Sequence, residues 1–179
     1  MLSVGIVIPT YNSAATVTAA IGSALAQEPA PAQVVVVDDG STDGTGDLLR
    51  KYAGRIECVR QPNRGVAAAR NAGLARLTTD TVVFLDADDL LLPGALACRA
   101  GLLAGPEAVW AHTAGWLEDE AGARQPFSAV HPPVDGRVEG WIFAGLLRRN
   151  FITADAAIAR RALVQKIGGF DETISGTED

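Results

Sequence analysis

The chain has 179 residues, 48% hydrophobic and 20% charged, enough for one globular domain with a substantial core. A net charge of -6 and the lack of any basic block exclude a nucleic-acid backbone as the main partner. No apolar run approaches the ~20 residues of a membrane span, and no basic stretch precedes the first apolar run, which reads as a strand and not a leader. A cytoplasmic location is the default expectation, and Cys58 and Cys98, with no CxxC spacing, read as small buried residues in a reducing compartment.

Residues 3–9 (SVGIVIP) have the composition of a buried strand. Residues 14–27 place Val17, Ala20, Ile21, Ala24 and Leu25 at helical spacing, and Glu28-Pro29-Ala30-Pro31 stops that helix. Residues 33–37 form a second strand with four consecutive valines, ending in Asp38-Asp39-Gly40. A short helix over 44–52, capped by Ser41 or Thr42, precedes a third strand over 56–60. An Ala-rich helix over 65–77 and a fourth strand over 81–85 follow. Pro93 falls in the first turn of a helix over 94–103, where proline is tolerated. Continuous apolar strands alternating with helices predict an α/β fold, a mostly parallel sheet covered on both faces.

The second half is less regular. It reads as a strand over 108–117 that contains His112, an exposed turn over 118–122, and a loop over 127–136 that contains His131. A helix over 140–149, a strand over 152–159 and a helix over 161–167 ending at Gly168-Gly169 complete the pattern. Both histidines read as structural. The chain stops at Glu178-Asp179 without a closing element, so the natural protein is expected to be longer.

Ligands in parallel sheets bind outside the carboxyl ends of the strands. Four polar clusters fall there: Pro9-Thr10-Tyr11-Asn12, Asp38-Asp39-Gly40-Ser41, Pro62-Asn63-Arg64-Gly65 and Asp86-Ala87-Asp88-Asp89. The last sets three carboxylates within four residues of a strand end. Such crowding calls for a cation, and carboxylate oxygens suit Mg2+ or Mn2+ held together with substrate phosphates. Alternation would turn Asp86 and Asp88 to one side, while Asp89 serves equally as a helix cap. Asp38-Asp39 reads as a turn that needs one acid, leaving the second for a base or ribose. Tyr11 offers a ring for stacking on a nucleobase, or simply ends its strand. The start of the 65–77 helix offers an anion site, flanked by Arg64, Arg70 and Asn71, although arginines on a helix face are usually solvated. No GxGxxG follows the first strand, which argues against a dinucleotide oxidoreductase.

Taken in order, Val7-Ile8-Pro9-Thr10-Tyr11-Asn12, Val37-Asp38-Asp39-Gly40-Ser41-Thr42-Asp43, Asn63-Arg64-Gly65, Ala69-Arg70-Asn71-Ala72-Gly73 and Phe84-Leu85-Asp86-Ala87-Asp88-Asp89 resemble the family 2 inverting glycosyltransferases of the GT-A fold. Gly168-Gly169-Phe170-Asp171-Glu172 and Glu178-Asp179 match two further motifs of that family. The resemblance runs from residue 3 to the end of the chain. It implies a single GT-A domain over 1–179, with a nucleotide-sugar-binding half at 1–104 and a partial acceptor-side half at 105–179.

The resemblance also implies a nucleotide-sugar donor, usually a UDP-sugar, with dTDP- and GDP-sugars as alternatives. Pro9 and Tyr11 would line the base pocket, Asp39 would hydrogen-bond the base, and Arg70 would lie beside the nucleotide. Asp86 would approach the ribose or the metal, and Asp88 would bind Mn2+ or Mg2+ on the diphosphate. Asp179 aligns with the catalytic base. The acceptor would be a carbohydrate, a lipid-linked sugar or a protein, with peripheral association at the inner face of a membrane compatible with the chain. Two other readings compete. One is a non-catalytic nucleotide-sugar-binding fragment. The other is a haloacid-dehalogenase-like phosphatase in which Asp86 attacks phosphorus and Asp88 is the acid/base.

Overall fold

The computed structural model describes residues 2–103, 105, 108–119, 121–130 and 152–174. The expected helix over 140–149, His131 and the Glu178-Asp179 pair lie outside them. Four parallel strands carry the fold: β1 (Val4–Thr10), β2 (Gln33–Asp38), β3 (Glu57–Arg60) and β4 (Thr81–Phe84). They are joined by α1 (Val17–Leu25), α2 (Thr45–Arg50) and α3 (Val66–Arg76), and α4 (Ala95–Leu102) follows β4. Further strands are β5 (Trp110–His112), β6 (Trp116–Glu118), β7 (Arg124–Pro126) and β8 (Ala157–Arg160). The helical turn α5 (Phe127–Val130) follows β7, and α6 (Arg161–Lys166) follows β8.

Among the described residues, one sheet runs in the order β3-β2-β1-β4-β8-β5, and β6 and β7 form a separate hairpin. β8 is antiparallel to both β4 and β5, so the sheet is mainly parallel, as the alternation of elements predicts. Its valine runs explain why helices cover both faces. Ile6, Ile8, Val34, Val36, Val83 and Leu85 share one core with Val17, Ile21, Leu49 and Leu96 of α1, α2 and α4. Their neighbours Val7, Val35, Val37, Val82 and Phe84 turn to the other face, where Ala69 and Leu74 of α3 pack.

Several local expectations change. The 108–117 stretch is not one strand. β5 pairs with β8 for three residues, and the chain then leaves the sheet to build the β6–β7 hairpin, closed by the Phe127 N–H donating to Gly115 O at 2.9 Å. The expected loop at 127–136 opens with the helical turn α5. The 152–159 strand begins later, after one 3-10 turn at Ala154–Ala156. Pro93 stands before α4 and not in its first turn, because Gly94 (φ 79) is the N-cap. Neither Ser41 nor Thr42 caps α2. Gly44, at φ 93, is its N-cap, and the Asp43 carboxylate takes the Thr45 N–H at 3.0 Å. Both cysteines are exposed, not buried: Cys58 lies on edge strand β3 and Cys98 on helix α4.

α3 crosses β1 and β2 at a point where only glycine fits. A Cβ at Gly73 would overlap Val7 Cγ1 and sit 3.1 Å from Val7 Cγ2 and 3.3 Å from Val37 Cγ2. Alanine in a helix gains up to about 1 kcal/mol over glycine. Overpacking a tight core costs about 1–3 kcal/mol, and here the obstacles are β-branched side chains held in a sheet. Gly73→Ala is therefore expected to lower stability by about 1–2 kcal/mol, read from the urea midpoint at unchanged slope.

Candidate functional site

In the strand order, β1 to β3 step one way and β4 lies on the other side of β1. The carboxyl ends of β1 and β4 therefore flank the switch point where open α/β sheets form their crevice. Pairing between them continues to the Leu85 N–H donating to Val7 O at 2.9 Å. The next rung would need an N–H from residue 9, and Pro9 has none, so the ladder stops and the two chains can separate. Pro9 itself is buried within β1, level with Val37. Tyr11, just beyond, is 49% exposed at the edge.

The loop after β1 is tied to the loop after β2. The Asn12 N–H donates to Ser41 Oγ at 2.9 Å, the Thr42 N–H to Asn12 Oδ1 at 2.8 Å, and Ser13 N to Thr45 Oγ1 at 3.0 Å. Asn12 adopts φ 51, in the left-handed region that asparagine tolerates better than most residues. Ser41 and Thr42, expected as caps, are used in this tie.

Both acids of the Asp38-Asp39 pair are buried and engaged. Asp38 makes the turn by accepting the Ser41 N–H at 2.8 Å. Asp39 reaches to the start of α3, where its carboxylate accepts the N–H groups of Gly65 at 2.8 Å and Arg64 at 3.0 Å, and Gln61 Nε2 at 2.8 Å. The protein's own carboxylate thus occupies the N–H groups of Arg64 and Gly65, immediately ahead of α3.

Arg70 is not a solvated surface arginine. It is 1% exposed, and its Nη2 donates to both oxygens of Asp86, at 2.8 and 3.1 Å. Asp86 retains 24% side-chain exposure, so the pair is closed on one side and open on the other. The 86–89 segment is a turn, with the Asp89 N–H donating to Asp86 O at 3.1 Å, and not the strand continuation assumed for alternation. Asp88 is exposed at its tip, and Asp89 is half-buried. Downstream, the buried Gln27 holds the chain: Nε2 donates to Leu92 O at 3.0 Å, and Oε1 accepts the Leu96 N–H at 3.2 Å.

Among the described residues no group of three or more His, Cys, Asp or Glu could hold a metal by itself. Asp88, exposed at the tip of the turn, has the chemistry to hold a hard ion that draws its other ligands from phosphate and water, whereas both Asp86 oxygens accept from Arg70. Pro9, Tyr11, Asp39, Arg70, Asp86 and Asp88 thus all lie at or beneath one sheet edge, with Arg70 and Asp86 in direct contact. Asp179 lies outside the described residues.

One set of contacts was not anticipated. The Asn71 side chain clasps the main chain of Phe170: Oδ1 accepts the Phe170 N–H at 2.9 Å, and Nδ2 donates to Phe170 O at 2.9 Å. Asn71 Nδ2 also reaches Glu172 Oε1 at 3.0 Å, and Arg64 Nη2 donates to Glu172 Oε2 at 2.7 Å. The Phe170 ring sits edge-on to Phe84, centroids 4.8 Å apart, and 5.3 Å from the Arg70 guanidinium carbon. The sequence signal was present in the Gly-Gly-Phe-Asp-Glu run, but nothing in its spacing named the partner helix.

An open, mainly parallel α/β sheet with an acidic turn at its switch point belongs to the class of α/β proteins that bind ligands in the crevice outside their strand ends. The sequence profile of glycosyl transferase family 2 matches residues 5–166, and the chain belongs to that family. It is 35% identical to the succinoglycan biosynthesis protein ExoU of Rhizobium meliloti (strain 1021) over 191 residues, covering 97% of this chain and 54% of ExoU. S. aureus TarS 1-349, solved in complex with UDP-GlcNAc, matches at TM-score 0.65 and 26% identity, over 99% of this chain and 51% of that one. The mannosyltransferase PcManGT of Pyrobaculum calidifontis, solved with GDP-Man and Mn2+, shares the fold at TM-score 0.69 and 24% identity, over 99% and 50% of the two chains. The chain thus spans about half the length of these proteins. The fold is the GT-A type expected. The phosphatase reading falls with the family assignment. Among the described residues no helix is long and apolar enough to cross a membrane.

Asp43 also orders this edge. Hydrogen bonds from Thr45 Oγ1 first, then from the Ala14 N–H, hold its carboxyl below the ordinary value of 3.8. A depressed carboxyl stabilises the fold fully above 3.8, and that contribution is lost as pH falls through the lower folded value. Asp43→Asn should therefore flatten the fall in stability on the acid side of 3.8. Denaturant midpoints measured across that range check this. Some slope should remain, because the Ser3 N–H and Oγ lower Asp80, and Thr173 lowers Asp171.

Proposed function

We propose that the protein is an inverting glycosyltransferase that moves a sugar from a nucleotide-sugar, a UDP-sugar by preference, to an acceptor hydroxyl. The observation that carries this reading is the acidic turn Asp86–Asp89 at the β1/β4 switch point, with Asp86 braced by buried Arg70 and Asp88 left exposed. Membership of family 2 and the nucleotide sugars named with the related structures support it.

In this reading the Tyr11 ring stacks on the base, and Pro9 shapes the floor of the crevice by ending the ladder. Asp39 is the acid nearest the base. Its carboxylate already orders the 61–65 loop, so it contributes to base recognition through whatever acceptor capacity faces the crevice. Asp88, with Asp86 alongside, would hold Mn2+ or Mg2+, which neutralises charge developing on the leaving diphosphate. Arg70 fixes Asp86 and places positive charge beside the nucleotide. An acceptor hydroxyl has a high pKa, so a carboxylate must take its proton as it attacks, and Asp179 is assigned that role by its motif. A single displacement opposite the leaving group inverts the anomeric carbon. Residues 1–104 form the donor half and 105–179 part of the acceptor half. The name of the succinoglycan relative supports a role in polysaccharide biosynthesis. The acceptor in this proposal is a carbohydrate, a lipid-linked sugar or a protein, met at the inner face of a membrane.

Calorimetry with UDP, GDP and dTDP, with and without Mn2+, followed by donor turnover, tests the reading. Nucleotide binding that strengthens with Mn2+ is expected. Binding without turnover in the presence of acceptor sugars would favour a non-catalytic binding fragment. Outer-shell changes around metals cost roughly 10–100-fold in affinity, so Asp88→Ala should lower Mn2+-dependent nucleotide affinity by more than about tenfold. Unchanged affinity in that variant would remove Asp88 as the ligand.

A further inference from the structure

The contacts between α3 and residues 168–172 form a mechanical chain that ends at Asp86. Asn71 uses its amide oxygen and nitrogen on the two main-chain groups of Phe170. That approach depends on Gly169, whose φ is 74 and whose Cβ, if present, would collide with Asn71 Oδ1. Held this way, the Phe170 ring touches both supports of Asp86. One is Phe84, two residues before it on β4, and the other is Arg70, which grips the Asp86 carboxylate. Glu172 closes the chain by bridging Asn71 to Arg64, whose own N–H is bound to Asp39. The Arg64–Glu172 pair is exposed and contributes little alone, so the amide clasp and the ring do the holding.

We propose that Asn71 is a positioning residue. By seating Phe170 on Arg70 and Phe84, it makes the 168–172 segment a structural part of the donor site and couples that segment's docking to nucleotide–metal binding. The ligand side of this inference rests on the glycosyltransferase reading; the mechanical coupling does not. Coupling of this kind is reciprocal. What docks the segment tightens the site, and what fills the site protects the segment.

Hydrogen–deuterium exchange by mass spectrometry on this chain, with Asn71→Ala and with Phe170→Leu, tests the coupling. Phe170→Leu keeps bulk but loses the aromatic face on Arg70. Both variants should retain the wild-type far-ultraviolet circular dichroism. Exchange over residues 85–89 should quicken together with 168–172, and Mn2+-dependent UDP affinity should fall about 5–10-fold. The double variant should lose no more than the weaker-binding single one, because both act through one path. Asn71→Asp keeps the acceptor for the Phe170 N–H but sets a carboxylate oxygen against Phe170 O and Glu172, so it should behave like Asn71→Ala. Wild-type exchange over 85–89 in folded variants, or affinity losses that multiply in the double variant, would overturn the proposal. If Asn71→Ala does not fold, Phe170→Leu decides by the same comparison. Failure of the wild-type chain to bind UDP, GDP or dTDP counts against the glycosyltransferase reading, and exchange over 85–89 then decides the coupling by itself.

Discussion

A guanidinium enclosed inside a protein has to be matched by a negative partner. Breaking such a pair typically costs 3–5 kcal/mol, somewhat less where one member still meets water. Arg70 is enclosed on α3, and Asp86 is the partner, half-open at the sheet edge. This one requirement fixes the distance between a helix on one face of the sheet and the turn that follows β4. The turn cannot drift outward without stranding the arginine. The helix cannot lift, because Gly73 lets it lie directly on Val7 and Val37. The acidic turn is thus rigid on its Asp86 side and exposed at Asp88, a suitable division for a site that must hold its shape yet admit a ligand.

The same logic explains why both ends of the turn are tethered. Upstream, β4 is hydrogen-bonded to β1 as far as Leu85. Downstream, Gln27 reaches from the residues after α1 to hold Leu92 and Leu96 through their main-chain groups. A buried amide left unsatisfied costs about 1–3 kcal/mol, so this contact is as much an obligation as a support. Like-charged side chains gathered in four residues would otherwise push the turn apart.

The parallel half of the fold was legible because its signals are local and redundant. Runs such as Val34–Val37 are short, β-branched and bounded by proline, glycine or a polar cluster, which together select a strand buried on both faces. The stretch from 108 to 117 misled because Trp, His, Leu and Ala read equally well as one long strand or as two. The choice is made by pairing with β8, which lies some 45 residues further on. At the site, residue types and the strand-end location were legible, whereas partners were not. Arg70 looks like any helix arginine in sequence. Its enclosure is tertiary: Asp86 pairs with the guanidinium and the Phe170 ring lies beside it. The second acid of Asp38-Asp39 stood out in sequence as surplus to the turn, but its bonding to Arg64 and Gly65 is tertiary and leaves no trace in spacing.

Asp39 has one more consequence. In many α/β proteins the bare N–H groups at the start of a helix beside the crevice receive phosphate directly. At α3 the carboxylate of Asp39 binds the N–H groups of Arg64 and Gly65, immediately ahead of the first turn, so a negative charge already stands beside the positive end of the helix. In the glycosyltransferase reading proposed above, the charge of an incoming diphosphate is then offset by a cation at Asp88, and occupancy of the site would follow the concentration of divalent ion as well as that of the nucleotide.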